Sequence, residues 1–155
     1  MSGVLVPTSE ELRAFAGLLS THRRLTELLD GELERAHGIS LGEYDVLVSI
    51  SRAPGGRLRM AELADEVLLS RSGLTRLVDR LETRGLVERV RCRGDARGLN
   101  ATLTDAGMQR LREATPTHLA SIQEHFLDHL GADDALRLLE IWRRLGFAEA
   151  ACTRN

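Results

Sequence analysis

The stretch from residue 57 to 103 restricts the fold more than any other part of this 155-residue chain. Its first half holds two amphipathic segments separated by a very short step. Met60 to Val67 puts Leu63, Ala64 and Val67 on one face, a short helix by spacing. Ser70 is the predicted N-cap of the second segment, since its hydroxyl can accept from an unpaired first-turn N–H, and Leu69 and Leu74 form the hydrophobic staple. Leu74, Leu77, Val78 and Leu81 make one apolar stripe, while Arg71, Ser72, Thr75, Arg76, Asp79 and Arg80 occupy the opposite face. Gly85 ends the helix where a left-handed residue is favoured. A step as short as Val67 to Ser70 is what a helix-turn-helix requires. Beyond it, residues 86–93 read as a strand, 94–98 as a turn and 99–103 as a returning strand. In that return Leu99, Ala101 and Leu103 alternate with polar residues and predict one buried face. Leu58 is placed to add a short third strand. The expected fold is mainly α with a small β-hairpin wing, a winged helix-turn-helix with helices on both sides.

The flanking segments carry their own start signals. Thr8 and Glu11 form a capping box that opens a helix whose stripe runs through Leu12, Phe15, Leu19, His22, Leu25, Leu29, Leu33 and Ala36 to Gly38. A helix of about 28 residues would be ~42 Å long, more than a small core can cover, and predicts packing against another subunit. Ser40 and Glu43 repeat the box, with Ile39 and Tyr44 as staple, for a second helix carrying Leu47, Val48 and Ile50. After the wing, Thr104 can cap a helix with an apolar face of Met108, Leu111, Leu119, Ile122, Phe126 and Leu130, closed by Gly131. Pro116 predicts a kink or break near residues 114–116, because proline removes one helical hydrogen bond and crowds the preceding turn. A last helix over about 133–145 carries Leu136, Leu138, Leu139, Ile141, Trp142 and Leu145, too many for one narrow stripe. The reading is one domain over 1–155. Residues 57–103 form the DNA-binding lobe, and 8–38 with 105–147 form a helical region that makes a homodimer.

Charge divides along the same line. The net charge is −2, yet residues 57–103 hold ten arginines against seven acids and the remainder eleven against sixteen. That asymmetry turns one end of the molecule toward a polyanion. All basic residues are arginine, a planar, permanently charged fork suited to phosphate and guanine. No signal peptide is visible and no apolar run approaches a membrane span, so a cytoplasmic protein without membrane partners is expected.

These residues resemble the MarR family of bacterial transcriptional regulators. The resemblance rests on Leu63-Ala64, on Arg80-Leu81-Glu82 and Gly85-Leu86-Val87-Glu88-Arg89 at the helix exit, on Asp95-Ala96-Arg97 in the wing, and on Leu103-Thr104-Asp105-Ala106-Gly107 after it. It implies a regulator, more often a repressor, that binds a pseudo-palindromic double-stranded operator as a homodimer. Ser70, Arg71, Ser72, Thr75 and Arg76 would approach base edges from the N-terminal half of the second helix, the part that reads bases in this docking. Arg71 and Arg76 suit guanine O6 and N7. Arg80 and Arg84 lie further along, placed for phosphate or for acids such as Asp79 and Glu88. Arg91, Arg93 and Arg97 cluster around the wing turn. By resemblance Arg97 would enter the minor groove and Asp95 would orient Arg76.

The family's usual control device is a small-molecule pocket between the dimerisation helices and the winged lobe. His22, Arg23, Tyr44, Leu47, Arg59 and His118 are the candidate lining, with a phenolic or carboxylate effector suited to an arginine or histidine beside apolar walls. A ligand-independent or metal- or redox-responsive DNA-binding protein is the alternative, and a winged helix that binds only proteins is a third. His125 and His129, four apart, have the spacing to share one ion, with His118 a turn back and His22 and His37 on the first helix. No cysteine or acid stands at an obvious ligand spacing beside them except Glu124 and Asp128, which are expected to point elsewhere, so no metal and no cofactor is assigned. Family members that sense peroxide use a cysteine in the first helices. This chain has only Cys92, in the wing strand, and Cys152. No phosphate loop, nucleophile elbow or paired carboxylates mark an enzyme.

Overall fold

The computed structural model describes residues 6–67, 71–91 and 98–146, and the side chain of Arg71 is not among what it describes. Ser70, Leu69, Cys92, Arg93, Asp95, Arg97 and Cys152 therefore lie outside the described residues.

Helix α1 (Ser9–His37) begins as expected: Thr8 accepts from the Glu11 N–H, and the Glu11 side chain accepts from that of Thr8. It ends at Gly38, whose φ of 63° is left-handed. The Ser40–Glu43 box opens α2 (Leu41–Arg52), the central helix of the core, which buries Glu43, Tyr44, Val46, Leu47 and Ile50. A single 3₁₀ turn (Pro54–Gly56) leads to strand β1 (Arg57–Arg59), the third strand placed at Leu58. Helices α3 (Met60–Glu66) and α4 (Arg71–Thr83) follow, then β2 (Val87–Arg91) and β3 (Leu99–Leu103). The sheet is antiparallel in the order β1-β3-β2, with Leu58 opposite Ala101 and Arg89 opposite Ala101 from the other side. Helices α5 (Asp105–His125) and α6 (Asp134–Arg144) complete the described chain.

The corner between α4, β2 and α5 explains the Leu-Thr-x-x-Gly pattern physically. Gly85 (φ 69°) closes α4 with paired bonds: its N–H reaches the Glu82 carbonyl at 2.9 Å and Leu86 N–H reaches the Leu81 carbonyl at 2.9 Å. Leu81 and Leu86, both buried, make the apolar contact of that cap. Thr104 then ties α5 to it: its hydroxyl donates to the Gly85 carbonyl at 2.6 Å and accepts from Gly107 N–H at 3.0 Å, while its own N–H meets the Leu86 carbonyl at 3.2 Å. Gly107 passes so close to Leu86 that a Cβ there would sit 1.9 Å from its carbonyl oxygen.

Several expectations are corrected. α5 runs unbroken through Pro116. Proline deprives the Arg112 carbonyl of its helical donor, but both residues are exposed, so the unpaired carbonyl is not shut away from solvent and its cost is small enough for the helix to continue. α5 also stops at His125, not at Gly131: Phe126 leaves helical geometry (φ −133°, ψ −60°) and a 3₁₀ turn, Leu127–His129, follows. Gly131 instead seats α6, its N–H bonded to Asp134 Oδ2 at 2.8 Å. Leu119, expected on the buried face, is 58% exposed because α1 covers the other side of α5. On β3 only Ala101 is fully buried and Leu99 is 41% exposed, since Leu99 lies at the wing end beyond the helices that cover Ala101.

Candidate nucleic-acid interface

Helix α4 has the two-faced character the sequence predicts. Leu74, Leu77, Val78 and Leu81 are buried against the core; Ser72, Thr75, Arg76, Asp79 and Arg80 are exposed. Arg76 pairs with no acid among the described residues, so its guanidinium is available. Arg71 opens the helix.

Polar ties hold α4 on both flanks, and their charges are crossed. On the α2 side an acid of the core takes one arginine of the helix and one from the turn just beyond it. Arg80 Nε donates to Glu43 Oε1 at 3.1 Å and Arg84 Nη1 to Glu43 Oε2 at 3.2 Å, with the Glu43 side chain only 4% exposed. On the sheet side a base of β2 takes two acids of the helix. Arg89 donates to Asp79 Oδ1 at 2.6 Å and to Glu82, and reaches the Thr75 carbonyl at 3.4 Å. Asp79 was expected as a partner of Arg80 or Arg84; the structure gives it to Arg89. Arg80 keeps a 58% exposed side chain even with its Nε held by Glu43.

Of the candidate effector residues the structure brings together Tyr44 and His118, whose ring centroids are 4.4 Å apart at 41°. Leu47 is fully buried core. His22 and Arg23 lie exposed on α1, too far toward its N-terminal half, because α1 crosses α2 lower down, where Asp30 accepts from Leu41 N–H at 2.7 Å. Arg59 lies in a separate cleft of about 590 Å³ between α3, α4 and the wing, with Thr75, Asp79, Arg89 and Leu99. The six therefore do not line one pocket. Burial pushes the His118 pKa below the ordinary imidazole value, and its Nδ1 has no hydrogen-bond partner among the described residues. Tyr44 hydroxyl donates to Thr115 at 3.3 Å.

His125 and His129 do not share a helix face. His125 is the last residue of α5, and its Nε2 lies 2.6 Å from Glu32 of α1; His129 belongs to the turn beyond. The hydrogen bond with His125 is the main cause holding the Glu32 carboxyl below its usual value. Among the described residues no three histidines, cysteines or acids gather as a metal site. No helix among them is long and apolar enough to cross a membrane.

Three elements of this geometry, a tight pair of helices, a three-stranded wing and an exposed polar helix face over a buried apolar one, define a winged helix-turn-helix protein. The sequence profile of the MarR family matches residues 37–98. Two crystal structures from Streptomyces coelicolor match almost end to end. The MarR family regulator AbsC is 34% identical with a TM-score of 0.85, over 92% of this chain and 96% of that one. Sco3205, a MarR family regulator solved in complex with DNA, is 34% identical with a TM-score of 0.88, over 94% and 91%. The HTH-type transcriptional regulator MhqR of Bacillus subtilis is 26% identical over 139 residues, 90% of this chain and 93% of that protein. The chain belongs to the MarR family, whose members regulate transcription and are not enzymes.

Proposed function

We propose that this protein binds duplex DNA in a sequence-specific manner as a homodimer and represses transcription from a pseudo-palindromic operator. The observation that carries the reading is α4. Its polar N-terminal half is exposed while its other face is buried and its flanks are tied by Glu43 and Arg89, a rigid presentation of the kind that base reading needs. The DNA complex of the 34% identical Sco3205 supports it. Ser70, Arg71, Ser72, Thr75 and Arg76 are the proposed base-facing set. Arg80 is proposed on phosphate, Arg93 and Arg97 in the wing, and Asp95 as the orienting acid. Exposed apolar residues on the terminal helices, Phe15 (60%), Leu19 (55%), Leu136 (68%) and Leu139 (47%), supply the proposed dimer contact, and half-sites lie ~10 bp apart or a near multiple.

A small aromatic acid that weakens DNA binding is the second part of the proposal. Tyr44 and His118, where α2 meets α5, favour it, because an unpartnered buried imidazole nitrogen beside a tilted ring suits a phenol or carboxylate. Selection of duplexes from a random pool, followed by footprinting with and without phenolic carboxylates, tests both parts. Failure to enrich any sequence ends the DNA reading; unchanged footprints and unchanged melting with every acid end the ligand reading alone.

A further inference from the structure

The first turn of α2 carries more polar contacts to other helices than its capping role requires. Within residues 40–44, Leu41 N–H reaches Asp30 of α1, the Tyr44 hydroxyl reaches Thr115 of α5, and Glu43 reaches Arg80 of α4 and Arg84 in the turn that follows it. Glu43 is the unusual member. Glu43 Oε2 accepts from the Ser40 N–H at 3.0 Å, which completes the capping box, and from Arg84 at 3.2 Å, while Oε1 accepts from Arg80 at 3.1 Å. A helix cap works equally well at the surface, yet this carboxylate is 4% exposed. A charge so far from water persists only when donors surround it, and its two arginines come from the last turn of α4 and the turn just beyond it, four residues apart. Sliding or rotating α4 on α2 would strip at least one of those donors. The tie therefore fixes one register.

We infer that Glu43 is a positioning residue for DNA recognition: it sets the register of α4 on α2, and it holds Arg80 by its Nε while more than half of that side chain stays exposed. The inference rests on the DNA-binding reading above. It assigns Glu43 a task separate from folding. The apolar contacts of Leu74, Val78 and Leu81 with the core hold α4 in place, but apolar contact is non-directional and tolerates small shifts. Base reading does not, since bidentate contacts fail when a side chain is displaced by about an ångström. Arg89, which holds the opposite flank through Asp79 and Glu82, restrains the same helix from the sheet, so loss of Glu43 leaves α4 folded but held on one side only.

The test uses the full-length protein and a duplex selected by the wild type. Affinity for that duplex and for a scrambled one is measured across a salt series for wild type, Glu43→Gln, Arg84→Gln and the double variant, well below each melting temperature. Either single variant should lower the ratio of specific to scrambled affinity roughly tenfold; Glu43→Gln, which removes no arginine, should do so with affinity for the scrambled duplex unchanged or raised. The double variant should lose little more than one single variant, because both break one tie. Arg84→Gln cuts the tie from the half-exposed end, so the inference stays open to refutation even if Glu43→Gln does not fold. A folded single variant that keeps the wild-type ratio overturns the inference, as does full additivity in the double. Absence of any selective binding by the wild type overturns the DNA reading and this inference together, and so is told apart from failure of the variants alone.

Discussion

The lobe around α4 and the terminal helices use the same material, leucine-rich amphipathic helices, to opposite ends. In the lobe, Leu74, Val78 and Leu81 are each no more than 1% exposed, and the polar flank is tied by Glu43 and Arg89. In α6 no described residue is buried, and the N-terminal half of α1 leaves Leu12, Phe15 and Leu19 more than half exposed. Periodicity alone cannot separate these cases. It says that a face is apolar, not whether the same chain covers it. The lobe is complete within one chain, whereas the terminal helices carry an apolar face still to be covered.

The largest expected effect breaks the lobe at its tightest point. Gly107→Ala forces a Cβ into the Leu86 carbonyl, backbone against backbone, and should cost about 3 kcal/mol or more of stability. Denaturant melts would show it, and a loss below ~1 kcal/mol would mean the corner yields easily. At the other pole, Phe15→Asp with Leu139→Asp puts charge on the exposed apolar surface. Those changes should weaken dimerisation by about a hundredfold, ~2.7 kcal/mol, while the lobe's helices persist. Sedimentation decides it, and a wild type that sediments as a monomer at micromolar concentration removes the proposed dimer altogether.

A smaller effect tests what the lobe presents. Arg76→Ala should cost ~1–3 kcal/mol on a selected operator and relax preference at particular base pairs. Arg97→Ala, in the wing outside the described residues, should weaken all duplexes alike and flatten the salt dependence by about one unit of slope. The smallest effect belongs to His118. Burial lowers its pKa, so the folded chain binds fewer protons than the unfolded one. The stability it carries is present above the ordinary imidazole value of about 6.5 and is lost as pH falls below it toward the lowered folded value. His125, Glu32 and His37 lie along the same seam between α1 and α5, so the useful measurement is a difference. Between pH 7 and 5 the melting temperature of His118→Phe should fall a few degrees less than that of the wild type, and equal falls would assign no part of the acid sensitivity to this side chain.

What was legible in the sequence was local. The caps at Thr8, Ser40 and Thr104, the turn at Gly85 and the strand at Leu58 each rest on residues a few positions apart. Distant partners were not legible. Glu43 announced itself as a capping residue, but its arginines lie 37 and 41 positions away, and no spacing rule reaches that far. The candidate pocket is a similar case: which of its residues face one another depends on where α1 crosses α2, and no local spacing states that. Pro116 shows the reverse for the expected break: a sound local rule is overridden by exposure, which the sequence does not state.

An unbroken α5 has a mechanical consequence. Its 21 residues span about 32 Å, from the Thr104 corner at the root of the wing to the His125–Glu32 contact on α1. A rod of that length multiplies small rotations. Tilting it by roughly 5° about its far end moves the near end by about 3 Å, the scale of the helix shifts by which packed proteins switch. The proline that stays inside the helix leaves α5 continuous between those two contacts, so a tilt set at the seam with α1 would reach the wing root as a displacement of that size.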